Sequence, residues 1–313
     1  MIGNQCWSRP LPSLAVFAVA GLAAASQPCR ATPDACRDLE IKLHLNKPQI
    51  TSIETNQLLF ASADNGCSEL ARRLISDGAS LEARDRLGAM PLAHAARSGA
   101  TALVELFLEN GAAIDARNLA GSTALYQAAE NGRIDTVDLL LRKGADPNLP
   151  GRSGVTPVAA AAYRGNDAIV TLLLGHRADP ALADMTGKTP IVYAAARGFA
   201  PIVRQLLDAG VKADATYAND LTALMWAAGH EEGVDPRAAE AVIRLLLNRG
   251  APIDAADNRG RTALMIGAER GDVAIVSVLL GGGADSTHRD KLGKSALDLT
   301  ASAPVRAKLS EQN

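Results

Sequence analysis

Residues 118–146 read NLAGSTALYQAAENGRIDTVDLLLRKGAD, and the order of residue types in this stretch decides the architecture. It opens on a turn-forming Asn-Leu-Ala-Gly. Thr123 then stands where a hydroxyl can cap a helix start. Ala124 to Ala129 form a short segment thin enough for a neighbouring helix to approach closely, and Gly132 ends it. Ile134, Val137 and Leu139-Leu140-Leu141 supply the bulk of a second amphipathic segment. Gly144-Ala145 stops that segment with a residue suited to a left-handed turn. The stretch therefore predicts a turn and two antiparallel helices, too thin to bury a core alone.

The same order recurs along the chain. Gly88, Gly121, Gly154 and Gly187 are spaced by 33 residues, as are Gly260 and Gly293. A second series runs Gly78, Gly111, Gly144, Arg177, Gly210, Gly250 and Gly283, and a third runs Gly66, Gly99, Gly132, Gly165, Gly198 and Gly271. The step between 220 and 260 is 40, so one unit carries seven extra residues. Thr123, Thr156, Thr189, Thr222 and Thr262 precede the first helix of their units, with Pro91, Pro157 and Pro190 at its first turn, where a missing N–H costs nothing. Pairs such as Ala95-Ala96, Ala194-Ala195 and Ala227-Ala228 favour close first helices. Leu172-Leu173-Leu174 and Leu245-Leu246-Leu247 thicken second ones.

This unit resembles the ankyrin repeat, whose pattern runs Asp-x-x-Gly-x-Thr-Pro-Leu-His-x-Ala-Ala, then Gly, then Ile-Val-x-Leu-Leu-Leu, then Gly-Ala. Residues 184–211 (DMTGKTPIVYAAARGFAPIVRQLLDAGV) and 257–285 carry the match, and the resemblance covers about residues 55–310. It implies an all-α solenoid of stacked helix pairs joined by hairpin-like turns. The expected units are an N-terminal cap at 55–84, then 85–117, 118–150, 151–183, 184–216, 217–256 with the insertion, 257–289, and a C-terminal cap at 290–311. The family's His is absent throughout, replaced by Ala93, Tyr126, Ala159, Val192, Met225 and Met265, which predicts a drier inner edge.

Composition agrees with thin stacked helices. Hydrophobic residues make up 48% of the 313 but aromatics only 3%, and the net charge of −2 shows no basic excess for nucleic acid. Residues 1–25 read as a secretory signal peptide. Arg9 precedes an apolar run at 11–25 that is too short to span a bilayer, and Ala23-Ala24-Ala25 offers small residues for cleavage. Cleavage as late as residue 31 is the second option. Export, most simply to a bacterial periplasm, is therefore expected, with no stable membrane insertion afterwards. Residues 26–54 then form a lead-in or short helix. Cys36 and Cys67 either form a disulfide from this segment to the first helix pair or remain buried thiols, since connectivity cannot be read from sequence.

Chemical motifs fail on inspection. Gly187-Lys188-Thr189 and Gly293-Lys294-Ser295 lack the earlier Gly of a phosphate loop, having Leu182 and His288 there instead. His230-Glu231-Glu232-Gly233-Val234 lacks the second His of a zinc-protease helix. No catalytic constellation, metal site or cofactor motif is found, and the expectation is a non-enzymatic monomer that binds a protein.

The resemblance places that partner along the groove formed by hairpin tips and first helices. The residue before the inter-helix glycine gives a row Ser98, Asn131, Arg164, Arg197, His230 and Arg270, basic from the third unit and flanked by Tyr163 and Trp226. Hairpin tips add Arg152, Lys188, Tyr217 and Arg261. This composition suits a partner with an acidic surface and aromatic anchor points. A solvated charge row needing no ligand is the alternative, with Trp226 and Tyr193 packing between first helices. The insertion at 231–238 is expected to project as a loop with Asp235-Pro236 starting a lengthened helix, and either carries a contact or is neutral. The resemblance includes bacterial periplasmic relatives linked to oxidative-stress defence, which implies a scaffold or regulator of an envelope enzyme as one version. A secreted effector acting on another cell is a second, and an enzyme with a site in the insertion a third.

Overall fold

The computed structural model describes residues 33–46 and 50–311; the signal segment lies outside the described residues. Helix α1 (Pro33–Asn46) precedes eight helix pairs. These are α2 (Ser52–Asn65) with α3 (Ser68–Ser76), α4 (Pro91–Ser98) with α5 (Thr101–Glu109), α6 (Ala124–Glu130) with α7 (Ile134–Arg142), and α8 (Pro157–Arg164) with α9 (Asp167–Gly175). There follow α10 (Pro190–Ala196) with α11 (Ala200–Asp208), α12 (Ala223–Ala228) with α13 (Pro236–Asn248), α14 (Ala263–Arg270) with α15 (Val273–Gly281), and α16 (Ala296–Leu299) with α17 (Ala303–Ser310). Each first helix packs on the first helix of the next unit, and each second helix on the next second helix, so the chain is an all-α solenoid of two layers.

The sequence explains both layers. The first-helix Ala pairs, from Ala95-Ala96 through Ala227-Ala228, are wholly buried, so backbones meet with little side chain between them. In the second layer Leu103, Leu140, Leu173, Ile202, Leu246 and Leu279 fill the space between units, with Phe107 the largest wholly buried side chain. Thr123, Thr156, Thr222 and Thr262 accept a backbone N–H three residues on, as helix caps do. Thr189 does not: its hydroxyl is buried without a partner among the described residues. The positions of the missing His are all buried, five of them holding Ala, Val or Met and the sixth Tyr126.

Hairpin tips are built by Asx turns. The carboxylate or amide oxygens of Asp85, Asn118, Asp184, Asp257 and Asp290 each accept two backbone N–H groups from the tip, two and four residues on. Gly151 and Tyr217 have no such oxygen, and their tips instead place Ser153 and Asn219 in the left-handed region. Successive tips are joined through the backbone, as from Leu119 N–H to Leu87 O (3.0 Å) and Met185 N–H to Ser153 O (3.0 Å).

At the N-terminal end, Leu39 and Leu43 of α1 are buried against the first pair, and Cys36 is joined to Cys67 in a disulfide. The insertion differs from a projecting loop. Asp235 caps α13, which runs for 13 residues where α11 and α15 have 9, so four of the extra residues extend a helix. Glu231 N–H donates to Ala196 O of the preceding unit (2.8 Å), and Val234 is half-buried, which folds the remainder back onto the stack.

Candidate functional site

Between the hairpin tips and the first helices of the second to fifth units lies an open recess of about 380 Å³. Its walls are Tyr126 and Glu130 of α6, Tyr163 and Arg164 of α8, and Tyr193 of α10. Lys188 of the fourth hairpin tip and Glu231 of the insertion close its sides. Aromatics are otherwise scarce in this chain, so three tyrosines on one recess form a concentrated patch.

Each tyrosine is held for a local reason. Tyr126 occupies the slot of the missing His and is nearly buried, its ring lying so close beneath Gly151 that a Cβ there would meet it at 2.7 Å. Burial first, and the Glu130 charge second, push its phenol up to about 12 against the opposing charges of Arg164 and Arg152. Tyr193 donates its hydroxyl to Asp184 of the hairpin tip and is pushed up by burial and by that carboxylate. Asp184 in turn is held below the usual carboxylate range: burial opposes this, but donors from Tyr193, Lys188 and Thr186 outweigh it. Tyr163 meets the Tyr193 ring edge-on at 5.7 Å.

The chain's own cations lie on these rings. Arg197 stacks 4.6 Å from the Tyr163 centroid and 5.6 Å from Phe199, while its Nη1 reaches Glu231 at 3.4 Å. Lys188 Nζ sits 5.0 Å from the Trp226 ring and 5.8 Å from Tyr193, contacts worth about 0.5–1 kcal/mol each at exposed sites. Arg164, 51% exposed, reaches Glu130 only at 4.0 Å. Lys188 has no carboxylate within ion-pair distance among the described residues. The indole N–H of Trp226 is buried without an acceptor among them. Arg152 is exposed at the hairpin tip beside this patch.

The expected basic row does not run through the whole stack. His230 is a correction: its side chain is 8% exposed, with Nδ1 3.0 Å from Glu231 O and Nε2 3.1 Å from Asp272 Oδ2, so it is used inside the fold. Arg261 is another, 14% exposed and tied to Asp257 and Glu269 within its own unit. Tyr217 is mostly buried, which raises its phenol. Arg270 is exposed but stands at the far end of α14, away from the recess. Ser98 and Asn131 are turned to backbone carbonyls. What remains together is Arg164, Arg197, Tyr163, Trp226 and Lys188, joined by Tyr126, Glu130, Asp184, Tyr193 and Glu231, which the sequence did not single out as contacts. The signal for Tyr193 was present, since it shares a repeat phase with Trp226.

No group of three or more potential metal ligands is gathered among the described residues, and none of their helices is long and apolar enough to cross a membrane. A two-layer repeat stack presenting a shallow, aromatic and charged groove defines a protein-interaction scaffold. The family model for ankyrin repeats matches three times, over residues 58–151, 158–236 and 214–290. The chain belongs to the ankyrin-repeat family, whose members are typically non-enzymatic. Ankyrin repeat domain-containing protein 63 of Mus musculus is 39% identical over 61 residues, which is 20% of this chain and 16% of that protein. The matched segment is thus a small part of that relative's length.

Proposed function

We propose that this protein is an exported, non-enzymatic scaffold or regulator that holds a protein partner in the groove across its second to fifth repeats. The observation that carries the reading is the recess lined by Tyr126, Tyr163 and Tyr193, with Arg197 and Lys188 laid over aromatic rings. Aromatic and arginine side chains on a rigid support are what interface anchors are made of, because they lose little freedom on contact and bury much area. Export is supported by the apolar run at 11–25 and by the Cys36–Cys67 disulfide, a bond that persists in oxidising compartments. Support of an envelope or oxidative-stress enzyme in the periplasm is the concrete version of the role.

Affinity capture from the native envelope, with the full chain beside an Arg164→Glu/Arg197→Glu variant and an Arg72→Glu control on α3, tests the groove. The reading expects a partner held by the full chain and the control and lost by the double variant. Equal capture by all three contradicts it. Fractionation with mass measurement of the mature N-terminus tests export; an intact chain confined to the cytosol contradicts that part.

A further inference from the structure

Resting on the groove reading, we infer that the recess takes an acidic segment of the partner, with an Asp or Glu carboxylate seated between Lys188 and Arg164. Tyrosine rings with two glutamates could equally have formed a cage for a basic side chain. The arrangement of charges decides against that. The faces of Tyr163, Tyr193 and Trp226 are already covered by Arg197 and Lys188, so a visiting cation would meet cations in the positions it needs. Two of the site's three acids are engaged at short range, and the third, Glu130, faces Arg164 at 4.0 Å. Glu231 faces Arg197 at 3.4 Å, and Asp184 receives the Tyr193 hydroxyl and two backbone N–H groups.

Apart from Glu130, the groups left without a close partner are donors. Lys188 Nζ has no carboxylate partner among the described residues, and Arg164 has one only at 4.0 Å. Arg152 and Arg164 also act on the Tyr126 phenol as positive charges. A carboxylate entering here would find Lys188 already held over the Trp226 and Tyr193 rings, so little further ordering of that long side chain opposes binding. The recess, at about 380 Å³, has room for a side chain and adjoining backbone and is open to an extended segment.

The test uses the full chain carrying Trp7→Phe, which leaves Trp226 as its one tryptophan and a reporter directly under Lys188. Hexaglutamate, hexaglutamine and hexalysine peptides are titrated against Trp226 fluorescence. The inference expects saturable change with hexaglutamate, at least about tenfold weaker binding in Lys188→Glu, and a smaller loss in the size-matched Lys188→Met. It also expects weakening as salt rises from about 0.1 to 1 M and the screening length falls from about 10 to about 3 Å. Arg72→Glu should bind as the parent does. Tighter binding of hexalysine, or hexaglutamate binding untouched by both Lys188 variants, overturns the inference while leaving the groove reading to the capture experiment. Absence of any response to hexaglutamate also overturns it.

Discussion

Arg177 stands in a repeat position that six other units give to glycine, and replacing it should stabilise the protein. Its φ is +65°, in the left-handed region, and the six glycines of the same phase range from +81° to +97°. A Cβ added at any of those six would meet nothing within 4 Å, so the position is open and its cost is conformational rather than steric. Holding an L-residue left-handed costs about 1–2 kcal/mol. A glycine costs about 0.4–1 kcal/mol more chain entropy on folding. The difference leaves Arg177→Gly more stable by about 0–1.6 kcal/mol, centred on about 0.8 kcal/mol. The exposed Arg177 side chain makes no ion pair among the described residues, and its carbonyl, which accepts Asn148 Nδ2, survives the change. Urea unfolding followed by far-UV circular dichroism should show a higher midpoint at an unchanged slope, and Gly144→Ala should move the midpoint the other way. A lower midpoint for Arg177→Gly would refute the view that repeat phase alone sets backbone conformation here.

Phe107→Ala removes the largest wholly buried side chain and should cost about 3–5 kcal/mol, read as a lower thermal midpoint with the groove variants unaffected. Replacing Cys36 and Cys67 together by Ser opens a loop of 31 residues and should lower stability by about 3–4 kcal/mol, measured against the oxidised parent; reduction of the parent should give the same result. Tyr126 should ionise near pH 12 in spectrophotometric titration of the folded chain. Because its native value lies above the unfolded value of 10.0, its stabilisation is complete below about pH 10 and is lost as pH rises toward 12. Asp64 is held low, with burial opposed and outweighed by His94 and Arg97, so its contribution is present above the unfolded value of 3.8 and is lost as pH falls below it. His94→Ala should flatten that acid limb of the stability profile.

The fold could be read from the sequence because each unit repeats its own instructions: a capping Thr, an Ala pair, a leucine run and a stopping glycine at fixed phase. Phase also located Arg164, Arg197 and Trp226 on one face. It failed at His230, since the carboxylate that binds its imidazole is Asp272, 42 residues on, and no local pattern announces a partner at that distance. Arg261 was misplaced for a related reason: a hairpin-tip arginine is exposed unless acids such as Glu269 turn back toward it. The recess itself needed three dimensions. Tyr126 comes from the vacated His slot, Tyr193 from the Trp226 phase and Glu231 from the insertion, and their convergence follows from stacking rather than from spacing. The insertion read as a loop because the capping signal at Asp235 does not say how far the longer helix will draw it back.

A charge exchange at Lys188 tests the account most directly. The Trp7→Phe chain should prefer hexaglutamate to hexalysine by Trp226 fluorescence, and Lys188→Glu in that background should reverse the order. The same preference in both proteins, or none in either, would contradict a groove whose specificity is set by that lysine.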